Sequence, residues 1–140
     1  MPHTPEKIET YLARPGQIAR LATVSPAGQP HVVPVWYLWE NGILWIHSFS
    51  STRKLEHLRH NPRCAASIDA DATIDGMMGV LIKGRAEIIT APAEYVRQVA
   101  EKIYRRYLNQ TELLAPDPQS WLNSPEGLIL KINPTSIKAF

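Results

Sequence analysis

The chain has a single cysteine in 140 residues, which excludes a disulfide framework within one chain and fits a reducing compartment. It has no apolar run near the roughly 18–20 residues that a membrane helix needs. Its first residues, MPHTPEKIET, lack an apolar stretch and carry acids. No secretory signal is read there, and a cytoplasmic protein without a membrane or nucleic-acid partner is expected. The formal net charge of +2 is too small to argue for nucleic acid. There is no G-x-G-x-x-G, Walker A, C-x-x-C, H-E-x-x-H or G-x-S-x-G motif. Dinucleotide, P-loop and common zinc readings lose their main support. His57 and His60 are three apart on one helix face with no thiol or carboxylate cluster. They read as a solvated pair, and no metal is expected. Cys64 reads as a small buried hydrophobe within a strand, not as a catalytic thiol.

What the chain does have is an ordinary globular composition, 44% hydrophobic and 20% charged. That is enough to bury one core, so residues 1–140 are expected to form a single domain. Thr4-Pro5-Glu6 reads as a helix start, with a helix running from Pro5 to about Ala13 and turning Ile8, Tyr11 and Leu12 to one side. Residues 17–24 read as a strand. Ser25-Pro26-Ala27-Gly28 has the residues of a type I turn. Residues 29–39 are β-branched and aromatic and read as one strand, with Pro34 marking an edge or bulge.

Asn41-Gly42 is a strong hairpin signal, with 43–47 as the return strand. A helix follows and stops at Asn61-Pro62. Residues 63–69 read as a strand, 70–78 as a loop, and 79–89 as a strand whose Gly84 marks a bulge or corner. Tyr95, Val96, Val99, Ala100, Ile103, Tyr104 and Tyr107 recur at helical spacing, the clearest helix of the chain. Residues 109–125 read as a loop pinned by Trp121 and Leu122. Residues 127–132 and 136–140 read as two final strands. The expected fold is mainly β: six to seven antiparallel strands closed into a small barrel, with two or three flanking helices.

Two stretches carry candidate chemistry. At Ser48–Arg63, hydroxyls and the Arg53-Lys54 pair fall in the first turn of a short helix. A helix start offers unpaired backbone N–H groups and a positive dipole end, so this arrangement suits a phosphate. The alternative is a solvated basic face. The second stretch holds three of the four tryptophans, Trp36, Trp39 and Trp45, within ten residues. They read either as core or interface packing, or as a flat aromatic wall. As a wall, Val33, Pro34, Val35 and Trp36 lie along a ring and bond its polar edge through backbone groups. No side chain stands out as a proton donor; His47 and Tyr37 are the candidates.

Three spaced blocks, ARLATVSPAGQPHVVPVWY, ILWIHSFSSTRKLEHLRHNPRCAAS and VLIKGRAEII, resemble the pyridoxamine 5′-phosphate oxidase-like flavin-binding split-barrel superfamily. The resemblance covers about Ile18 to Ile89. It implies a homodimer with a flavin-type cofactor at its interface. It also implies that Arg53 and Lys54 serve the phosphate, and that Ser48 and His47 serve the ribityl or ring region; Thr52, at the helix start beside them, is read as a further cofactor-binding residue. Val33, Pro34, Val35 and Trp36 would line the ring. Gly79 falls where the superfamily often has a polar ring contact, so a contact there would run through backbone.

The Arg and Lys that oxidases of pyridoxamine phosphate carry on the 33–38 strand are absent, as is their C-terminal Arg/His motif. The HVVPVW block and short length resemble instead the small reductase branch, whose members use FMN or the 5-deazaflavin coenzyme F420. The implied activity is hydride or electron-pair transfer to a small organic acceptor. The alternative is a non-catalytic module that stores or senses a flavin or haem on the same fold.

Overall fold

Two short connections and one long hairpin dictate how the sheet closes. The structure is a computed structural model that describes residues 3–74 and 76–140. Its seven strands are β1 (Ala19–Val24), β2 (Pro30–Val35), β3 (Leu38–Glu40), β4 (Ile43–Phe49), β5 (Arg63–Ile74), β6 (Met77–Ile89) and β7 (Gly127–Ala139). They pair antiparallel in the order β2-β1-β5-β6-β7-β4-β3. The two outermost strands, β2 and β3, are consecutive in the chain and separated only by Trp36 and Tyr37. Both sheet edges are thus tethered at one point, and the sheet curls into a split barrel. The turns follow from the residues: Gly28 donates to the Ser25 carbonyl at 2.9 Å, and Asn41 and Gly42 both have positive φ, as a primed hairpin turn requires.

The split is closed by side chains instead of a ladder. The Tyr37 N–H donates to the Tyr107 hydroxyl at 3.0 Å, and Arg106 donates to the Tyr37 carbonyl. Tyr107 in turn donates to the Gln17 carbonyl. The Arg106 guanidinium lies 4.6 Å over the Tyr37 ring, and the Tyr37 hydroxyl donates to the Leu12 carbonyl at 2.7 Å. One helix end therefore ties β2, β3 and the segment before β1.

Alternation sorts the side chains. Leu21, Leu44, Ile46, Ile68, Ile82 and Leu130 are fully buried inside the barrel, together with Tyr11 and Leu12 of α1 (Pro5–Leu12) and Leu55 and Leu58 of α2 (Arg53–His60). A second cluster lies on the outside of the β4–β7 face. There α3 (Ala93–Tyr104) lays down Val96, Val99, Ala100, Ile103 and Tyr104, joined by Leu113 of α4 (Gln110–Leu113) and Leu122 of α5 (Pro116–Leu122). At roughly 25 cal/mol per Å² of apolar surface, this double burial is the main favourable term of the fold.

Several expectations need correction. The single strand expected at 29–39 is two strands, broken where the sheet edges meet. The loop expected at 70–78 is mostly strand: β5 runs to Ile74, opposite Met77, and Gly76 turns with φ 80°. Asp75 of that expected loop, and Met1 and Pro2, lie outside the described residues. The expected 109–125 loop contains α4 and α5; Asn109 and Glu112 form a capping box, and Pro116 opens the second helix. The two final strands are one. β7 passes its irregular point opposite Gly84, where the register slips between Lys83 and Gly84. A Cβ on Gly84 would sit 2.5 Å from the Asn133 carbonyl oxygen, so the bulge read at Gly84 is present. Five helices are described in place of the two or three expected.

Tyr107→Phe should lower stability by about 1–3 kcal/mol in urea unfolding, because the buried Tyr37 N–H loses its acceptor while the ring contact remains. An unchanged midpoint would show that water replaces the hydroxyl. Gly84→Ala should cost on the order of 1–3 kcal/mol through overpacking against the Asn133 backbone, read in the same unfolding assay.

Candidate functional site

Pro34 lies on β2, an edge strand of the sheet, where a proline is tolerated. Beside it, Val35 and Trp36 lead into the junction of the sheet edges. These three line a cleft of about 510 Å³, within the size range of small-molecule sites. His47 and Phe49 form its second side, because β4 alternates and sends Ile46 and Ser48 inward and His47 and Phe49 outward. Ile103 and Tyr104 of α3 and Trp121 of α5 form the rest, with Ile18 at the margin.

The cleft is an aromatic box. Trp36 stacks on Tyr107 at 4.7 Å and 5° and meets Tyr104 edge-on at 5.7 Å. Trp121 meets Tyr104 edge-on at 6.0 Å. The only ionisable groups among the described lining residues are His47 and Tyr104, and they bond each other: His47 Nδ1 lies 2.6 Å from the Tyr104 hydroxyl. Burial lowers the His47 ring to about 4 and pushes the Tyr104 hydroxyl up, so both are uncharged near neutral pH. His47 Nε2 lies against Gly127, where a Cβ would come within 3.0 Å.

The start of α2 follows in the chain on β4, whose His47 and Phe49 line this cleft. Thr52 N–H and hydroxyl both donate to the carbonyl of Phe49, at 3.2 and 2.9 Å. The Thr52 side chain therefore turns back and does not cap α2. Arg53 is exposed and Lys54 half-buried. Neither joins an ion pair among the described residues. Burial lowers the Lys54 ammonium below the usual lysine range. An uncapped helix start with two unpaired cations is a donor set suited to a phosphate. Nearby, His57 of α2 meets His31 edge-on at 5.3 Å, and the His31 Nδ1 is buried without a partner.

The expected site residues thus divide. Pro34, Val35, Trp36 and His47 share the cleft; Thr52, Arg53 and Lys54 share the helix start. Val33 is half-buried on β2 and does not line the cleft, and Ser48 is 1% exposed and faces inward, 3.4 Å from the Thr52 hydroxyl. Both reach a ligand only through backbone. Of the expected tryptophan wall, only Trp36 lines the cleft. Trp39 is core and donates to Glu9 at 2.5 Å, while Trp45 donates to the Glu40 carbonyl. Gly79 has both backbone groups bonded to Phe140, so it offers no ring contact. Tyr37 closes the split and does not line the cleft.

His57 is not solvated: it is 5% exposed and bonds the Thr23 hydroxyl at 2.9 Å. The Cys64 thiol is pushed up to about 11 by burial, as an inert thiol is. Sequence reasoning missed Ile18, Phe49, Tyr104 and Trp121 as residues of the candidate site. Tyr104 showed only as part of an apolar helical stripe, and Trp121 only as a loop anchor.

No curated protein matches the sequence. Among solved structures, an F420 reductase is 25% identical over 96% of this chain and 98% of that one, with a TM-score of 0.76. A conserved hypothetical protein from Mycobacterium tuberculosis is 23% identical over 99% of this chain and 84% of that one, TM-score 0.79. An FAD-binding protein from Mesorhizobium loti is 20% identical over 99% of this chain and 95% of that one, TM-score 0.69. The last two likenesses speak to fold alone. No described helix is long and apolar enough to cross a membrane. A family model for pyridoxamine 5′-phosphate oxidase matches residues 4–139, nearly the whole chain, and the seven-stranded split barrel agrees with it: the chain belongs to the pyridoxamine 5′-phosphate oxidase-like split-barrel superfamily.

Proposed function

We propose that this chain binds a flavin-type cofactor, FMN or the 5-deazaflavin coenzyme F420, and serves hydride or electron-pair transfer to a small organic acceptor. The observation that carries the reading is the uncapped start of α2, with Arg53 and Lys54 unpaired, directly after the strand that walls an aromatic cleft. The likeness to an F420 reductase over nearly all of both chains supports it. Both cofactors combine a tricyclic ring, a ribityl chain and a phosphate, so one seat suits either.

When bound, such a cofactor supplies the hydride or electron pair. The chain's own residues bind, orient and exclude water. Arg53, Lys54 and the free N–H groups of α2 hold the phosphate. Thr52 and the backbone at Ser48 guide the ribityl chain. The backbone of Val33–Trp36 meets the polar edge of the ring, and Trp36, Phe49 and Trp121 keep the cleft apolar. Catalysis of pyridoxamine phosphate oxidation itself is not proposed, because no cation stands on β2 where the substrate phosphate would need one. Val32, Met78 and Phe140 remain exposed at 60, 56 and 50%, which supports a twofold dimer covering the outer face of the sheet. The lone thiol, Cys64, agrees with a cytoplasmic site of action.

Protein purified from its own host should carry a chromophore absorbing near ~450 nm for FMN or ~420 nm for F420. Arg53→Ala and Lys54→Ala should each weaken cofactor binding by about 1.5–3 kcal/mol in a fluorescence titration. Equal affinity in both variants would reduce the seat to a solvated helix face.

A second measurement follows from the neutral His47. Between pH 6.5 and about 4 the unfolded chain binds a proton there that the folded chain does not. Stability contributed at this residue is therefore lost as pH falls through that window. His47→Gln should flatten the decline of Tm with acid, by on the order of 3 kcal/mol at most. Parallel curves for the two proteins would mean that His47 titrates normally in the fold.

A further inference from the structure

We infer that Tyr104, backed by His47, is the specificity-determining hydrogen-bond donor of the aromatic cleft, and that the cleft takes a flat, mostly apolar acceptor bearing a carbonyl-type oxygen. This rests on the reading of the cleft as the place where acceptor and cofactor meet. Ile18, Pro34, Val35, Phe49 and Ile103 bring no polar side-chain atom to the lining. Apart from the two indole N–H groups, the His47–Tyr104 pair is the one polar side-chain partner that the described lining residues offer a ligand. The edge contacts from Trp36 and Trp121 hold the Tyr104 ring between them, so its hydroxyl has a fixed place.

A neutral imidazole carries one N–H. With the proton on Nε2, the Tyr104 hydroxyl donates to Nδ1 and offers the cleft no hydrogen. With the proton on Nδ1, that N–H donates to the Tyr104 oxygen, and the hydroxyl hydrogen is free to turn to a ligand. Both arrangements satisfy the 2.6 Å contact. A ligand oxygen selects the second and an apolar ligand does not. Burial of an oxygen without this donor leaves it unsatisfied, which is how one hydroxyl discriminates between ligands of equal shape.

Acetophenone and ethylbenzene test this, since they share a flat ring and differ at the carbonyl. In NMR titrations of the purified protein, acetophenone should bind about 3- to 10-fold more tightly, the worth of one hydrogen bond. The ketone, and not the hydrocarbon, should shift the His47 ring nitrogens toward the Nδ1–H form. In Tyr104→Phe the preference should vanish while ethylbenzene binding persists. Equal affinities in the unaltered protein, failure of both compounds to bind, or a preference that survives Tyr104→Phe each overturn the inference. If Tyr104→Phe does not fold, the comparison in the unaltered protein and the His47 nitrogen shifts decide. Flavin affinity is read on the same samples: flavin binding without ketone preference strikes this inference alone, and ketone preference without flavin binding strikes the cofactor reading alone.

Discussion

The fold depends on how two sheet edges are held together without pairing. β2 and β3 end the sheet on opposite sides, and two residues join them. Had they paired, the barrel would close fully and the Tyr37 backbone would be spent in a ladder. Instead its N–H and carbonyl go to Tyr107 and Arg106, side chains just past the end of α3. A buried backbone group must find some partner, and here that requirement fixes the end of a helix to the seam of a barrel.

Fixing the end of α3 there determines what faces the cleft. Tyr107 stacks on Trp36, and one turn earlier Tyr104 reaches His47 on β4. These rings meet because one helix is anchored at the seam and laid across the β4–β7 face. The cationic start of α2 follows Phe49 in the chain, where β4 ends and Thr52 folds back on the Phe49 carbonyl. The ring wall and the cationic helix start are thus successive products of one strand end.

Much of this was legible in the sequence because it is local. The Asn41-Gly42 turn, the Pro5 helix start, the close approach at Gly84 and the first turn at Arg53-Lys54 are all set by residues within a few positions of one another. The cleft half of the site was legible on β2 and β4, where Pro34, Trp36 and His47 stand out by type. Its other half was not. Tyr104 and Trp121 lie on elements whose placement depends on the seam, and a tyrosine in an apolar helical stripe looks like core. The expected tryptophan wall failed for a related reason: period-two alternation and the break at Trp36–Tyr37 send Trp39 inward. The inserted helices at 110–122 rest on a capping box and a proline that a loop-like composition hides.

The Trp36–Tyr37 seam gives the cleft walls unequal independence. Trp36 stacks on Tyr107 of the latch that holds the barrel shut, and Tyr104 lies one turn before it on α3, so both rings are tied to the closure of the barrel. Trp121 rides on α5, a seven-residue helix outside the sheet, and is the more exposed ring of the box. Variation among relatives in what the cleft admits can therefore accumulate at the α4–α5 arm, where a changed ring leaves the barrel closure untouched, while the opposite wall is constrained by the architecture itself.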